Sequence, residues 1–328
     1  MPRPRSTRCW RAGRRSVATV EGAAQRGPSL AQRVWHSDNL AGWLFVLPAV
    51  FLVALFSIFP IIWGFILSLQ KASLLSPNRP FVGFDNYAKI ASDPHAITAA
   101  RNAVVYTFLF VPSSIAIAMF LAIALNQKIR LIRFYRLAVF IPVAVSTIAT
   151  GVMFLWVFDA TFGIANWALG KVGLGPFGWF DSPQGALPSL VIMTVWGWLG
   201  FDTIIYLAAL QGVPHELVEA AAVDGAARWS TFRNVTLPLL GPATLLLVVW
   251  STISAVQLFD EVYFVTKGGP LEHTSVPVFY IFKLAFTSSF GFSAAGYGAA
   301  IAYVLFLVIL GLTLAQFWLG NRVVHYSS

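Results

Sequence analysis

Long apolar runs separated by short polar segments occupy the chain from about residue 43 to residue 319. A membrane-crossing helix needs about 20 predominantly apolar residues. By this criterion we predict six spans, at about 43–69, 102–125, 137–158, 187–212, 237–259 and 296–319. Prolines within these runs are compatible with spanning helices, because neighbouring helices can satisfy the freed backbone groups. The pattern therefore predicts an all-α, polytopic membrane protein.

The composition agrees with this prediction, since 58% of the 328 residues are hydrophobic and only 11% are charged. The formal net charge of +9 is concentrated near the N-terminus, where eight arginines precede residue 34. Such a basic arm could bind nucleic acid. We favour a cytoplasmic tail without a nucleic-acid partner, because positive charge accumulates on the cytoplasmic side of membrane proteins. We therefore predict a disordered, Arg-rich tail over 1–38 and a membrane domain over 39–325.

The distribution of Lys and Arg also predicts the orientation of the spans. The tail, the loops after the second and fourth spans and the C-terminus together hold fifteen of these residues, against seven on the other side. This bias places both termini in the cytoplasm. The polar segment 213–238, between the fourth and fifth spans, is then cytoplasmic as well.

The segment 213–238 predicts two short helices joined by a turn. Pro214 suits the first position of a helix, where its missing N–H costs nothing. Asp224 and Gly225 are expected to end this helix, with Gly225 in the left-handed conformation. The stretch "ARWSTFRNV" then predicts a second helix, and Pro238 marks the start of the fifth span.

The second helix of this segment carries two aromatic residues, Trp229 and Phe232, which a solvated loop does not need. They could anchor the loop at the lipid interface, where aromatic side chains are common. They could equally form a docking surface for a cytoplasmic partner. The pattern of residues alone leaves both interpretations open.

Polar side chains inside the predicted spans are candidates for a transport pathway. Asp202 is the only charged residue within a predicted span, and such charges usually face a bundle interior or water. Two helical faces combine aromatic rings with small or hydrogen-bonding side chains. They comprise Trp196, Leu199, Gly200 and Thr203 on the fourth span and Trp250, Ser254 and Gln257 on the fifth. These faces suit a sugar or polyol, although small residues such as Gly200 also serve ordinary helix packing.

No motif in the sequence predicts catalysis or a metal site in this chain. The phosphate-binding pattern GxxxxGK[ST] is absent, as are H-E-x-x-H and G-x-S-x-G. The five histidines are scattered, and Cys9 is the single cysteine. A stand-alone secondary transporter would need ion-coupling carboxylates and inverted repeats. The chain has one acid within a span and no detectable repeat.

The polar segment resembles the EAA signature of ABC-importer permeases. The matching residues are Glu219, Ala220, Ala221, Gly225, Val235, Leu237 and Pro238, at the spacing of that signature. Further stretches are similar to the carbohydrate-uptake branch, the maltose- and glycerol-3-phosphate-type permeases. These are "FVGFDNYAKI", "FYRLAVFIPVAVS", "WGWLGFDTIIYLAALQGVP" and "FDEVYFVTKGGP". Lys267 departs from the usual small residue of the last stretch.

The resemblance implies a MetI-like permease fold of six transmembrane helices with a cytoplasmic coupling helix. It implies that the loop 213–238 couples the spans to an ATPase subunit. The residues expected in this role are Glu219, Ala220, Ala221, Asp224, Gly225, Trp229, Phe232, Leu237 and Pro238. On the same grounds the two faces described above, with Asp202, are expected to line the substrate pathway.

The resemblance also implies the setting of the chain, a multi-pass subunit in a bacterial plasma (inner) membrane. The expected partners are a second homologous permease, two ATPase subunits that carry ATP and Mg²⁺, an extracytoplasmic solute-binding protein and membrane lipid. The chain itself would hold no cofactor and no enzymatic activity. The expected cargo is a sugar or sugar-like polyol, with glycerol-3-phosphate or a glycerophosphodiester as the alternative.

Overall fold

The computed structural model describes residues 38–73, 77–127, 130–287 and 294–323. Residues 1–37 of the predicted tail lie outside this part of the chain. By its internal contacts the chain divides into residues 1–60 and 61–328, which we describe separately. The described part of the first unit is one helical segment whose large apolar side chains, from Trp43 to Phe59, are exposed.

Helices make up nearly all of the regular structure in the described ranges. They are α1 Asp38–Val53, α2 Phe59–Ser68, α3 Asp85–Ile90, α4 Pro94–Leu125, α5 Ile132–Ala144, α6 Thr147–Val157, α7 Ile164–Lys171, α8 Ala186–Gln211, α9 His215–Val223, α10 Arg228–Thr231, α11 Leu237–Leu239, α12 Gly241–Val256, α13 Pro277–Phe286 and α14 Ala295–Val323. A single antiparallel bridge joins Gln70 to Phe81. The predicted all-α class is confirmed.

The predicted number of six spans agrees with the structure when two bent helix pairs each count as one span. Among the described residues, four helical segments are long and apolar enough to cross a membrane: Gly42–Ser68, Pro94–Leu125, Ala186–Gln211 and Ala295–Gly320. The pairs are Ile132–Ala144 with Thr147–Val157, bent by 103°, and Arg228–Leu239 with Gly241–Val256, bent by 63°. The third and fifth predicted spans are therefore not straight helices.

The break within the third predicted span has a local cause. Val145 is extended, and Ser146 then caps α6 through its Oγ, which accepts a hydrogen bond from the Ala149 amide at 3.3 Å. Serine is a favoured N-cap residue because it satisfies an amide that has no partner within the helix. An apolar run with a serine in its middle thus forms two helices rather than one.

In the described ranges, two of the three π-helical turns end two residues before a proline. The turn Ala54–Ile58 precedes Pro60, and the turn Phe232–Thr236 precedes Pro238. Proline has no N–H and its ring clashes with the carbonyl four residues earlier, which disturbs the α-helical hydrogen bonds at these two places. Pro48, Pro112 and Pro142, in contrast, lie within α-helices. The wider turn gives the backbone another partner, as in the bond from the Leu237 amide to the Phe232 carbonyl.

The core of the second unit forms where α4 packs along α8. Small fully buried residues, Ala118 and Ala122 of α4, lie in one cluster with Tyr206 and Leu210 of α8. A larger cluster nearby includes Phe154 of α6 together with residues of α4, α8 and α12. Small residues let membrane helices approach closely, so this interface holds the helices that carry the candidate site.

Candidate functional site

The first candidate region is the segment from α9 to α11, which forms the predicted pair of short helices. The Gly225 amide donates to the Ala222 carbonyl and the Ala226 amide to the Ala221 carbonyl, at 3.1 and 2.9 Å. These two bonds form a Schellman motif, which needs a left-handed residue after the helix. Gly225 supplies it, with φ at +79°. The predicted turn conformation is therefore confirmed.

The outer surface of this segment is apolar and exposed. Val223 and Trp229 expose 87% and 69% of their surface. The rings of Trp229 and Phe232 lie 5.6 Å apart. The remaining residues predicted for coupling lie on α9, on the turn after it or on α11: Glu219, Ala220, Ala221, Asp224, Leu237 and Pro238. Ala221 is half buried, and the others are exposed. The segment presents a continuous surface with no partner in the described part of the chain.

The second candidate region is a pair of adjacent clefts beside α8. One is about 100 Å³ and lies between α8 and the break that separates α5 from α6. The other is about 170 Å³ and lies between α4, α8 and the end of α12. Thr194, Trp198 and Glu261 line both clefts, so we treat the two as one feature, the α8 cleft.

The α8 cleft combines an aromatic ring with several polar groups. Ser254 and Gln257, both predicted for the pathway, line its larger part. The Tyr106 hydroxyl also lies there, fully buried and without a hydrogen-bond partner among the described residues. An unpaired buried hydroxyl costs free energy unless a ligand or water satisfies it. The arrangement can therefore bind a hydroxyl-rich molecule.

The other predicted pathway residues lie away from the cleft lining. Trp196 contacts Phe154 in the core, with ring centroids 5.6 Å apart. A Cβ at Gly200 would lie 2.6 Å from the Val139 carbonyl oxygen, so this glycine serves the close approach of α5 to α8. Trp250 is half exposed and lies beside Phe201. The structure thus separates a set of residues that helical spacing had grouped.

Asp202 and Thr203 are buried at the contact between α4 and α8. The Ser114 hydroxyl donates to Oδ2 of Asp202 at 2.5 Å, and Asp202 is only 1% exposed. Thr203 is equally buried, and its hydroxyl has no partner among the described residues. Asp202 therefore joins two helices of its own chain.

Sequence reasoning missed Thr194, Trp198 and Glu261 as cleft residues. Trp198 and Thr194 lie on α8 itself, on a face other than the predicted one. Glu261 follows the predicted end of the fifth span by two residues and was assigned no role. The adjacent acids Asp260 and Glu261, placed directly after an apolar run, were the available signal.

A further polar group, the Asp93 cluster, joins the start of α4 to α13 and α14. The hydroxyls of Tyr280 and Tyr297 donate to Oδ2 of Asp93 at 2.8 and 2.7 Å. The other oxygen caps α4 by accepting from the His95 amide. Although burial alone would raise the pKa of Asp93, these hydrogen bonds hold it below its ordinary value.

The comparisons with known proteins agree with this architecture. Residues 114–325 match the family described as "Binding-protein-dependent transport system inner membrane component". The chain is 36% identical to a lactose transport system permease protein of Rhizobium radiobacter, over 87% of this chain and 95% of the relative. It is 31% identical to a trehalose/maltose transport system permease protein of Thermococcus litoralis, over 89% and 98%.

A solved structure shares the fold. It is a bacterial ABC transporter involved in the import of the acidic polysaccharide alginate, matched with a TM-score of 0.75 at 21% identity over 89% of this chain and 97% of that chain. The predicted MetI-like permease fold is confirmed. Together, the family match over most of the membrane helices and the similarity to sugar permeases along nearly the whole chain show that this multi-pass membrane protein belongs to the family of binding-protein-dependent transport system inner membrane components.

Proposed function

We propose that the chain is a permease subunit of an ATP-driven, binding-protein-dependent ABC importer for a sugar or sugar-like polyol. Family membership is the observation that carries this proposal, and the names of the lactose and trehalose/maltose relatives support the class of cargo. The complete importer would contain a second homologous permease, two ATPase subunits that bind ATP and Mg²⁺, and an extracytoplasmic solute-binding protein. It would lie in a bacterial inner membrane with both termini of this chain in the cytoplasm.

The segment from α9 to α11 is the coupling element in this proposal. The exposed surface around Val223 and Trp229 would be buried in a groove of the ATPase subunit, where apolar contact stabilises the complex. Glu219, exposed on α9, would pair with a basic group at the rim of that groove. Closure of the ATPase subunits would then displace this segment together with the helices attached to it.

The α8 cleft is the substrate pathway of this chain in the proposal. Trp198 offers a ring face against which the apolar face of a sugar can stack. Ser254, Gln257 and Tyr106 offer hydrogen-bonding groups for its hydroxyls. The pathway of a transporter must bind its cargo weakly enough for the cargo to leave as well as enter.

Purification of the chain with its membrane neighbours tests the transport role. The proposal expects an ATPase subunit to co-purify and expects the reconstituted complex, supplied with its binding protein, to take up labelled lactose or maltose only with ATP. Uptake driven by an ion gradient without ATP would contradict it. Uptake of glycerol-3-phosphate instead of a sugar would retain the mechanism and change the cargo.

Trp198→Ala and Trp250→Ala test the position of the pathway within that complex. Loss of a stacking contact costs roughly 1–3 kcal/mol, so Trp198→Ala should weaken apparent uptake affinity about tenfold to a hundredfold. Trp250 does not line the α8 cleft, and its truncation is the matched control for loss of an indole. Basal ATPase activity should survive in both. A selective loss in Trp250→Ala would instead place the pathway on the face of α12 that the sequence predicts.

A further inference from the structure

The charged side chains of the α8 cleft are all acidic. Asp260 and Glu261 line the larger part, Glu261 also lines the smaller part, and neither part has a Lys or Arg among its lining residues. The described ion pairs of the chain all involve Glu272, so neither cleft acid is paired with a cation in the described ranges. Asp260 is exposed and Glu261 is half buried, and both residues line the cleft.

The cleft also contains a polar group that lacks a partner within the protein. The Tyr106 hydroxyl is fully buried at its lining and has no hydrogen bond among the described residues. Thr194, which also lines the cleft, donates to the Leu190 carbonyl at 2.9 Å and makes no hydrogen bond with the Tyr106 hydroxyl in this structure. A bound molecule with its own hydrogen-bonding groups would complete this site. Asp260 and Glu261 therefore line the same cleft as a hydroxyl that a polar ligand could satisfy.

The charge of the cleft then distinguishes solutes that differ only in their own charge. Two adjacent unpaired carboxylates lower the local concentration of anions and raise that of cations. Carboxylates accept hydrogen bonds but donate none, which suits the hydroxyl donors of a neutral sugar or polyol. A phosphate, sulfonate or carboxylate group on the solute would meet like charge with no nearby cation to offset it.

We infer that Asp260 and Glu261 make this pathway select against anions, so that the cargo is a neutral or cationic, hydroxyl-rich solute. This inference rests on the proposed role of the α8 cleft as the substrate pathway. It excludes glycerol-3-phosphate and glycerophosphodiesters, and also sugars that carry an acidic group. Asp260 and Glu261 are specificity-determining residues in this view, while Trp198 and Tyr106 supply binding contacts.

The local charge can be measured without knowing the cargo. We would place a cysteine at Ser254, with Cys9→Ser as background, and assemble the complete complex in proteoliposomes. The rate of reaction with a cationic methanethiosulfonate (trimethylammonium-ethyl) is compared with that of an anionic one (sulfonatoethyl), each normalised to its reaction with 2-mercaptoethanol. Unit charges within a nanometre change such rates severalfold in water, so we expect at least a fivefold preference for the cation.

The matched controls keep the same cysteine and remove the charges. Asp260→Asn and Glu261→Gln should each reduce the preference, and the double variant should abolish it. Gln257→Cys, at an exposed position of the same cleft, repeats the measurement should Ser254→Cys fail to assemble.

The possible outcomes separate the inference from the proposed function. Equal rates, a faster anionic reaction or a preference that persists in the double variant would overturn the inference and leave the pathway in place. Protection of both cysteines from both reagents would show that the cleft is not an aqueous pathway. That result would overturn the inference and the proposed pathway together.

Discussion

Gly225 holds a backbone conformation that few residues tolerate. Its φ is +79°, and an added Cβ would meet nothing within 4 Å. Any penalty for substitution therefore comes from the backbone and not from a steric clash. Asparagine visits this region far more readily than a β-branched residue does.

This difference predicts distinct behaviour for two substitutions at Gly225. Gly225→Val should open the Schellman turn, so that ATP-driven uptake is lost while the chain still inserts and assembles. Gly225→Asn is the matched control and should retain most of the uptake, because it accepts the left-handed conformation. The measurements are uptake and substrate-stimulated ATPase activity of both variants in the reconstituted complex. Normal coupling in the valine variant would rule out this segment as the coupling element.

Residue-level prediction from sequence succeeded where a local rule applied. A glycine after an alanine-rich helix predicts a left-handed turn at Gly225 without any tertiary information. Helical spacing, in contrast, grouped Trp196 with Gly200 but could not tell which face of the helix meets a neighbour. The cleft lies beside Thr194 and Trp198 because α5 contacts α8 at Gly200. The periodicity of the sequence cannot predict this contact between helices.

At the scale of elements, the Asp93 cluster fixes the start of α4 to α13 and α14. One carboxylate accepts from two tyrosine hydroxyls and also caps its own helix. Hydrogen bonds to a charged acceptor are stronger than neutral ones. Since the folded pKa is lowered, the stabilisation is complete above the ordinary aspartate pKa and declines as the pH falls through the folded value.

Replacement of the Asp93 carboxylate should therefore lower the stability of the folded protein and also remove the part of that stability that declines at low pH. Asp93→Asn retains a helix cap but loses the charge, and we expect a loss of about 1–3 kcal/mol at neutral pH. Asp159→Asn is the control, because Asp159 bonds only its own turn, at Thr161 and Phe162. The measurement is apparent melting temperature in detergent between pH 3 and pH 7. Equal losses in both variants would show that the cluster does not join the helices.

The elements themselves were predictable mainly where the apolar pattern was long and uninterrupted. The helix α8 lies within one residue of its predicted start and end. The helix α4 begins earlier than predicted, at Pro94, because Asp93 caps it ahead of the apolar run. Hydropathy gives no signal for the 103° bend between α5 and α6, since the apolar run continues across it.

At the scale of the whole molecule, the charge bias predicts an orientation that two exposed residues can test. Val223 is the last residue of α9 and is 87% exposed, and Leu271 lies in the loop before α13 and is 80% exposed. The bias places Val223 in the cytoplasm and Leu271 outside. Each can be replaced by cysteine in a Cys9→Ser background without disturbing a packed core.

Labelling of intact cells with a membrane-impermeant maleimide then reports the orientation. Leu271→Cys should react at once, whereas Val223→Cys should react only after the cells are permeabilised. The opposite pattern would place the α9–α11 segment outside the cell. In that case no ATPase subunit could reach it, and the proposed coupling would be excluded.

The 63° bend between the α10–α11 limb and α12 has a mechanical consequence. Only Leu240 separates α11 from α12, and the far end of α12 leads directly to Gln257 and the α8 cleft. The α10–α11 limb and α12 meet at an angle near Leu240, which is fully buried, so a rotation of one about this residue moves the other. A helix of this length spans about 24 Å, so a rotation of about 5° about Leu240 would move its far end by about 2 Å. If the α9–α11 segment contacts an ATPase subunit and the α8 cleft carries the cargo, as we propose, a small displacement of that segment would reach the cleft through α12 alone.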